Sequence, residues 1–173
     1  DGVSGEKNAY AKRDGSIDNG FEIVTHPHTL TKLLELDWKK LCKRAVELDY
    51  RSHQAGTCGI HVHISKSAFG RDYDERDENI MKLLFLTEKH WTNMVKFSRR
   101  NSSQLDRWAR RYGITDDLDY LLDTAKDAER YHAVNLNNSA TVELRFFRGS
   151  LKHNTVLATF QFSQVLLNIS MEY

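Results

Sequence analysis

The stretch Thr57-Cys58-Gly59-Ile60-His61-Val62-His63-Ile64-Ser65 holds two imidazoles at a spacing that can do chemistry. Its alternation predicts a strand, because strand side chains leave opposite faces at every second residue. Ile60, Val62 and Ile64 then face a core, while Gly59, His61, His63 and Ser65 face a cleft. Paired imidazoles on one face can bind a divalent cation or donate to phosphate oxygens. Glycine at 59 leaves room beside them for a ligand or a close backbone. The same His-x-His spacing also occurs on ordinary solvated sheet faces, so its neighbours decide its meaning.

A second strand, Thr141 to Arg148, places Val142, Leu144 and Phe146 on one face and Thr141, Glu143, Arg145 and Phe147 on the other. Glu143 and Arg145 thus project side by side, as a functional pair or as an exposed salt bridge. Glu22 lies between Phe21 and Ile23 in a third strand. It reads either as a solvent-facing edge residue or as an oxygen ligand for a hard cation, with Asp14 across the hairpin. If one antiparallel sheet holds these strands, their polar groups converge. Two carboxylates and an imidazole suit magnesium or manganese, and an adjacent arginine can neutralise a transferring phosphoryl group. There is no Walker-type glycine loop and no kinase loop signature, so a nucleotide would be held through its metals.

The positioning elements follow from periodicity. Residues 8–13 and 20–25 predict a hairpin, ended by Pro27, which has no amide hydrogen for a ladder. Leu30, Leu33, Leu34, Trp38, Leu41, Ala45 and Leu48 mark one helical face, with Asp37 as an N-cap inside the run. Residues 77–97 predict the most buried helix, 116–128 a short one, and 154–171 a long one. Residues 131–136 and 141–148 predict a second hairpin, with Tyr131, Ala133 and Asn135 alternating on its first arm.

Composition bounds the function. At 173 residues, with 40% apolar and 28% charged content, the chain fits one domain over 1–173 with a real core. A net charge of +1 gives no global pull toward nucleic acid or membrane. Arg99, Arg100, Arg107, Arg110 and Arg111, interleaved with Trp108 and Tyr112, can track a nucleic acid or hold phosphate and carboxylate groups. Asp116, Asp117, Asp119 and Asp123 just downstream spoil a clean basic patch, so nucleic acid is not the expected partner. Cys42 and Cys58 stand in unrelated contexts and predict reduced thiols in a cytoplasmic protein. The first residue is not methionine and the last lies in a helical pattern, so both ends read as cut.

Asp14-Gly15-Ser16, Gly20-Phe21-Glu22-Ile23-Val24, Cys58 to Ile64, and Thr141-Val142-Glu143-Leu144-Arg145 with Gly149, in that order, resemble the amidoligase family. Ser98-Arg99-Arg100-Asn101 is similar to its arginine segment. The resemblance implies an α+β fold, an antiparallel sheet with helices on one face, like the catalytic core of glutamine synthetase. It implies a ligase that uses ATP and Mg2+ (or Mn2+) to join an amino-acid or peptide carboxylate to an amine through an acyl-phosphate. By the same resemblance Glu22, His61 and Glu143 are metal ligands, and His63, Arg99 and Arg100 lie near the nucleotide. Arg145 stabilises the moving phosphoryl group, and Asp14 is a further ligand or orients the amine. The family's opening strand of paired glutamates has no counterpart before Lys12, so a core without it is expected. Thr141 stands where glutamine synthetase carries an arginine. A metal-dependent hydrolase and a non-catalytic relative are the alternatives.

Overall fold

The computed structural model describes residues 8–13, 15 and 20–172. The chain runs β1 (Ala9–Lys12), β2 (Glu22–Thr25), α1 (Leu30–Glu35), α2 (Trp38–Glu47), β3 (Gly59–Ser65) and α3 (Tyr73–Lys89). It continues through α4 (Trp91–Ser98), α5 (Ser102–Trp108), α6 (Leu118–Asp127), β4 (Val134–Asn135), β5 (Thr141–Arg148) and α7 (His153–Glu172). The fold is α+β with antiparallel sheets and helices.

The expected single sheet is two. β1 and β2 form their own antiparallel hairpin, with Lys12 opposite Glu22, and β3, β5 and β4 form a separate sheet in that order. β2 is four residues long and spends its ladder on β1, so Glu22 does not share a sheet with His61 and Glu143.

β5 is the central strand of the larger sheet and carries its core. Val142, Leu144, Phe146 and Phe147 are buried, and Ile60, Val62 and Ile64 of β3 pack against the same cluster. Ile80, Leu83 and Leu84 of α3, Met94 of α4, Leu105 of α5, Leu121 of α6 and Leu166 of α7 close over them. Each fully buried aliphatic or aromatic side chain of this kind is worth about 1.5–3 kcal/mol of transfer free energy. The strict alternation expected of β5 breaks once. Ile60 faces Phe147 while Val62 faces Leu144, so β5 carries one extra residue between those pairs. A bulge of this type shifts everything beyond it to the other face. Phe147 therefore joins the core, against Phe97 and Phe162, instead of standing beside Glu143 and Arg145.

Local chemistry sets the helix ends. Asp37 caps α2 as expected, its carboxylate accepting from Lys40 N at 2.9 Å. Asp72 caps α3 through Glu75 N, and Asn101 and Gln104 form a reciprocal capping box on α5. The long helix predicted over 77–97 is two, α3 and α4, parted at His90, whose backbone leaves helical geometry (φ −104°, ψ 25°).

Behind the sheet, buried Glu88 ties α3 to the segment after α5. It accepts from Arg111 Nε and Tyr112 N at 2.8 Å and from Gly113 N at 3.1 Å. That holds Tyr112 against His132, ring centroids 4.3 Å apart, with its hydroxyl donating to Val134 O. Replacing Glu88 by Ala would leave the backbone donors of Tyr112 and Gly113 and the Nε of Arg111 without their acceptor, while Arg111 Nη2 keeps the backbone carbonyl of residue 88. The expected loss is about 3 kcal/mol of unfolding free energy, read by urea denaturation. A loss below about 0.5 kcal/mol, the range of an ordinary surface change, would contradict this anchoring role.

Candidate active site

The polar face of β3 and β5 gathers around the Glu143 carboxylate, which is 6% exposed. Glu143 faces His63 across the ladder and Asn135 on the other side, because β5 runs between β3 and β4. Oε2 accepts from Asn135 Nδ2 at 2.6 Å, and Oε1 accepts from Arg145 Nη1 at 2.6 Å. His61 Nδ1 stands 3.1 Å and His63 Nε2 3.7 Å from the same Oε1. The other ring nitrogen of His63, Nδ1, lies 2.9 Å from Thr141 Oγ1, which fixes the ring. Alternation thus put His61, His63, Glu143 and Arg145 together, as expected.

Burial by itself would raise the Glu143 pKa. The hydrogen bonds from His61 and Asn135 and the charge of Arg145 outweigh it and hold the carboxyl at about 2. His63 is pushed down, chiefly by burial and against the pull of Glu143, so it is neutral at neutral pH.

Arg100 completes the cluster. Arg99 ends α4 in the left-handed region (φ 61°), which sends consecutive arginines in different directions. Arg100 turns inward, is 6% exposed and donates from Nε to Phe147 O at 3.2 Å. Its guanidinium lies over Gly59, where a Cβ would collide with it and come within 3.1 Å of His61 Nε2. The room that glycine leaves is taken by this side chain. Burial, with the like charge of Arg145 adding to it, brings the Arg100 guanidinium down to about 10. It remains a cation at neutral pH. Arg100 Nη1 and Arg145 Nε are buried and have no hydrogen-bond partner among the described residues. Tyr131 closes the flank, its ring centroid 5.8 Å from Arg145 Cζ.

Glu22 comes near without joining. It is half-buried, and its charge pulls the His63 pKa upward, so the β1–β2 hairpin brings it within electrostatic reach of the polar face. Asp14 lies outside the described residues. Arg99 points away from the cluster, its Nη1 3.5 Å from Thr155 Oγ1. Among the described residues, no three His, Cys, Asp or Glu side chains are grouped to hold a metal ion as they stand. Glu143 is already committed to its donors. What the arrangement fits is an anion, since two buried guanidinium groups each leave an N–H without an acceptor.

A family model described as "Putative amidoligase enzyme" matches residues 3–167. The chain belongs to the amidoligase family. That membership points to ligase chemistry on small-molecule substrates. No curated protein and no solved structure matches the chain. Of the remaining arginines of the basic stretch in this amidoligase, Arg110 pairs with Glu129 at 3.3 Å, Arg111 pairs with Glu88 and Arg107 lies over the Trp108 ring, so they present no clean cationic track. Cys42 and Cys58 are free thiols, and among the described residues no helix is long and apolar enough to cross a membrane.

Asn135, Tyr131 and Arg100's seat on Gly59 escaped assignment from sequence. Asn135 and Tyr131 shared the right alternation, but nothing in sequence paired them with Glu143 and Arg145.

The depressed Glu143 pKa makes stability depend on pH. Its stabilisation is fully present above the ordinary carboxyl value of 4.5 and is lost as pH falls through about 2. Between those values the wild type should lose about 3 kcal/mol more than Glu143→Gln, read by urea unfolding at stepped pH. Parallel acid limbs for the two proteins would show that this carboxylate is not held low.

Proposed function

We propose that this chain joins a carboxylate to an amine with ATP, through an acyl-phosphate. The observation that carries the reading is the pair of buried, partly unpartnered guanidinium groups, Arg100 and Arg145, beside Glu143 and the two histidines. A γ-phosphoryl group in transfer spreads charge over its equatorial oxygens, and buried guanidinium N–H groups stabilise it without reorganising. The substrate carboxylate oxygen attacks the γ-phosphorus and ADP leaves. The amine nitrogen then attacks the acyl carbon, the C–O bond to phosphate breaks, and phosphate departs with that oxygen. His63, neutral and held by the Thr141 hydroxyl, takes the proton that the amine must lose. Arg145 stabilises the moving phosphoryl group and Arg100 its non-transferring oxygens.

Magnesium or manganese, when bound, would shield the phosphate charge, with Glu22, His61 and Glu143 as proposed ligands. Oε1 of Glu143 is shared by Arg145 and His61, whereas Oε2 accepts from Asn135 alone, so the cation would take the second lone pair of Oε2 or displace a donor from Oε1. Asp14 keeps its proposed part in orienting the amine. The cytoplasm, the expected compartment, supplies ATP.

Phosphate release from ATP should occur only when a carboxylate and an amine are both present, followed over a panel of amino acids and short peptides. Arg145→Ala should lower turnover on the order of 10²- to 10³-fold and change apparent ATP affinity far less. Because Glu143 would be left with one donor fewer, the unfolding free energy of each variant is measured alongside, and Arg145→Lys should keep the fold while losing rate. Equal turnover in a folded Arg145→Ala protein would remove Arg145 from the chemistry, and ATP that is never consumed would remove the ligase.

A further inference from the structure

On the far side of Arg100, a cavity of about 220 Å³ opens between the end of α4, the end of β5 and the first turns of α7. Lys96, Arg99 and Arg148 line it, and no acidic residue does. Among the described residues neither the Lys96 nor the Arg148 side chain makes an ion pair or a hydrogen bond. Arg99 has only the 3.5 Å approach to Thr155 Oγ1, at the limit of a hydrogen bond. With three cations and no carboxylate around one hollow, an anion placed there would meet attraction from each cationic side chain. Phe97 and Phe147 form apolar walls, which lower the local dielectric and strengthen the attraction. Thr155 adds a hydroxyl on the α7 side, while that of buried Thr159 is spent on the Thr155 carbonyl.

The size selects the class of ligand. A volume near 220 Å³ lies below the roughly 300–1,000 Å³ of pockets for drug-sized ligands, which suits a molecule of amino-acid size. The position links it to the cluster. Arg99 and Arg100 are consecutive, and Phe147 both lines the cavity and accepts from Arg100 through its carbonyl. Arg148 stands opposite Gly59, the residue beneath the Arg100 guanidinium.

We infer that this cavity binds the non-reacting carboxylate of a small dicarboxylic substrate, with Lys96 and Arg148 as its principal cations. Its role as a substrate anchor rests on the ligase reading, but its affinity for the anion does not. Calorimetric titration of the whole chain, without nucleotide or metal, uses glutarate, L-glutamate and inorganic phosphate as probes. Glutarate and L-glutamate should bind saturably. Binding should weaken about tenfold or more in the Lys96→Gln/Arg148→Gln double variant, as expected for loss of charge-assisted contacts. Lys96 is exposed, so Lys96→Gln alone leaves the fold intact and should weaken binding about threefold. The proposal is overturned by no saturable binding of either dicarboxylate, by unchanged binding in both variants, or by phosphate binding about tenfold tighter than glutarate. Dicarboxylate binding that is lost in the variants, in a protein that never consumes ATP, upholds the site and removes only its role in ligation.

Discussion

A carboxylate buried at the centre of a sheet has to be satisfied, and Glu143 is that carboxylate. Leaving it unpaired would cost several kcal/mol, more than most single interactions in a domain contribute. The chain meets the demand with three neighbours drawn from three strands: Asn135 from β4, Arg145 from β5 and His61 from β3. The order β3-β5-β4 is what allows this, because it puts Glu143 on the middle strand with a donor to either side. The same contacts fix His61 and Arg145 against Glu143, while the Thr141 hydroxyl fixes His63 beside them. A buried ion pair of this kind is weak evidence for stability and better evidence for a specified geometry.

Local departures from regular backbone then build the surroundings. The extra residue in β5 turns Phe147 into the core, so the polar face ends at Arg145 instead of meeting an aromatic side chain. The left-handed turn at Arg99 costs about 1–2 kcal/mol in a non-glycine residue. It separates Arg99 from Arg100, sending one to the cavity and the other to the cluster. Gly59 lets Arg100 lie flat against β3. The two guanidinium groups repel each other, and an oxyanion placed between them would relieve that repulsion.

Much of this was legible in the sequence, because a period of two is hard to disguise. The alternation around His61 and His63, and around Glu143 and Arg145, predicted the right face for each. The capping residue Asp37 and the positions of α2, α6 and α7 followed from equally local rules, whereas the break at His90 and the short α5 did not. Non-local facts were not legible. Whether β2 joins the main sheet depends on pairing that no local pattern encodes, and Glu22 ends up in a separate hairpin. The bulge beyond Arg145 is invisible until Ile60 and Phe147 are seen opposite each other. Adjacent arginines look interchangeable in sequence, and only the backbone at Arg99 distinguishes their destinations.

The central claim is that the two buried guanidinium groups serve phosphoryl transfer to a substrate carboxylate. The most direct test is to supply a carboxylate labelled with heavy oxygen, with ATP and an amine, and to weigh the phosphate released. Activation through an acyl-phosphate must carry one oxygen from the carboxylate into phosphate for each amide formed, because that C–O bond is the one that breaks. The account predicts labelled phosphate in equal amount to product. Unlabelled phosphate, with the heavy oxygen retained in the product or lost to water, would contradict it.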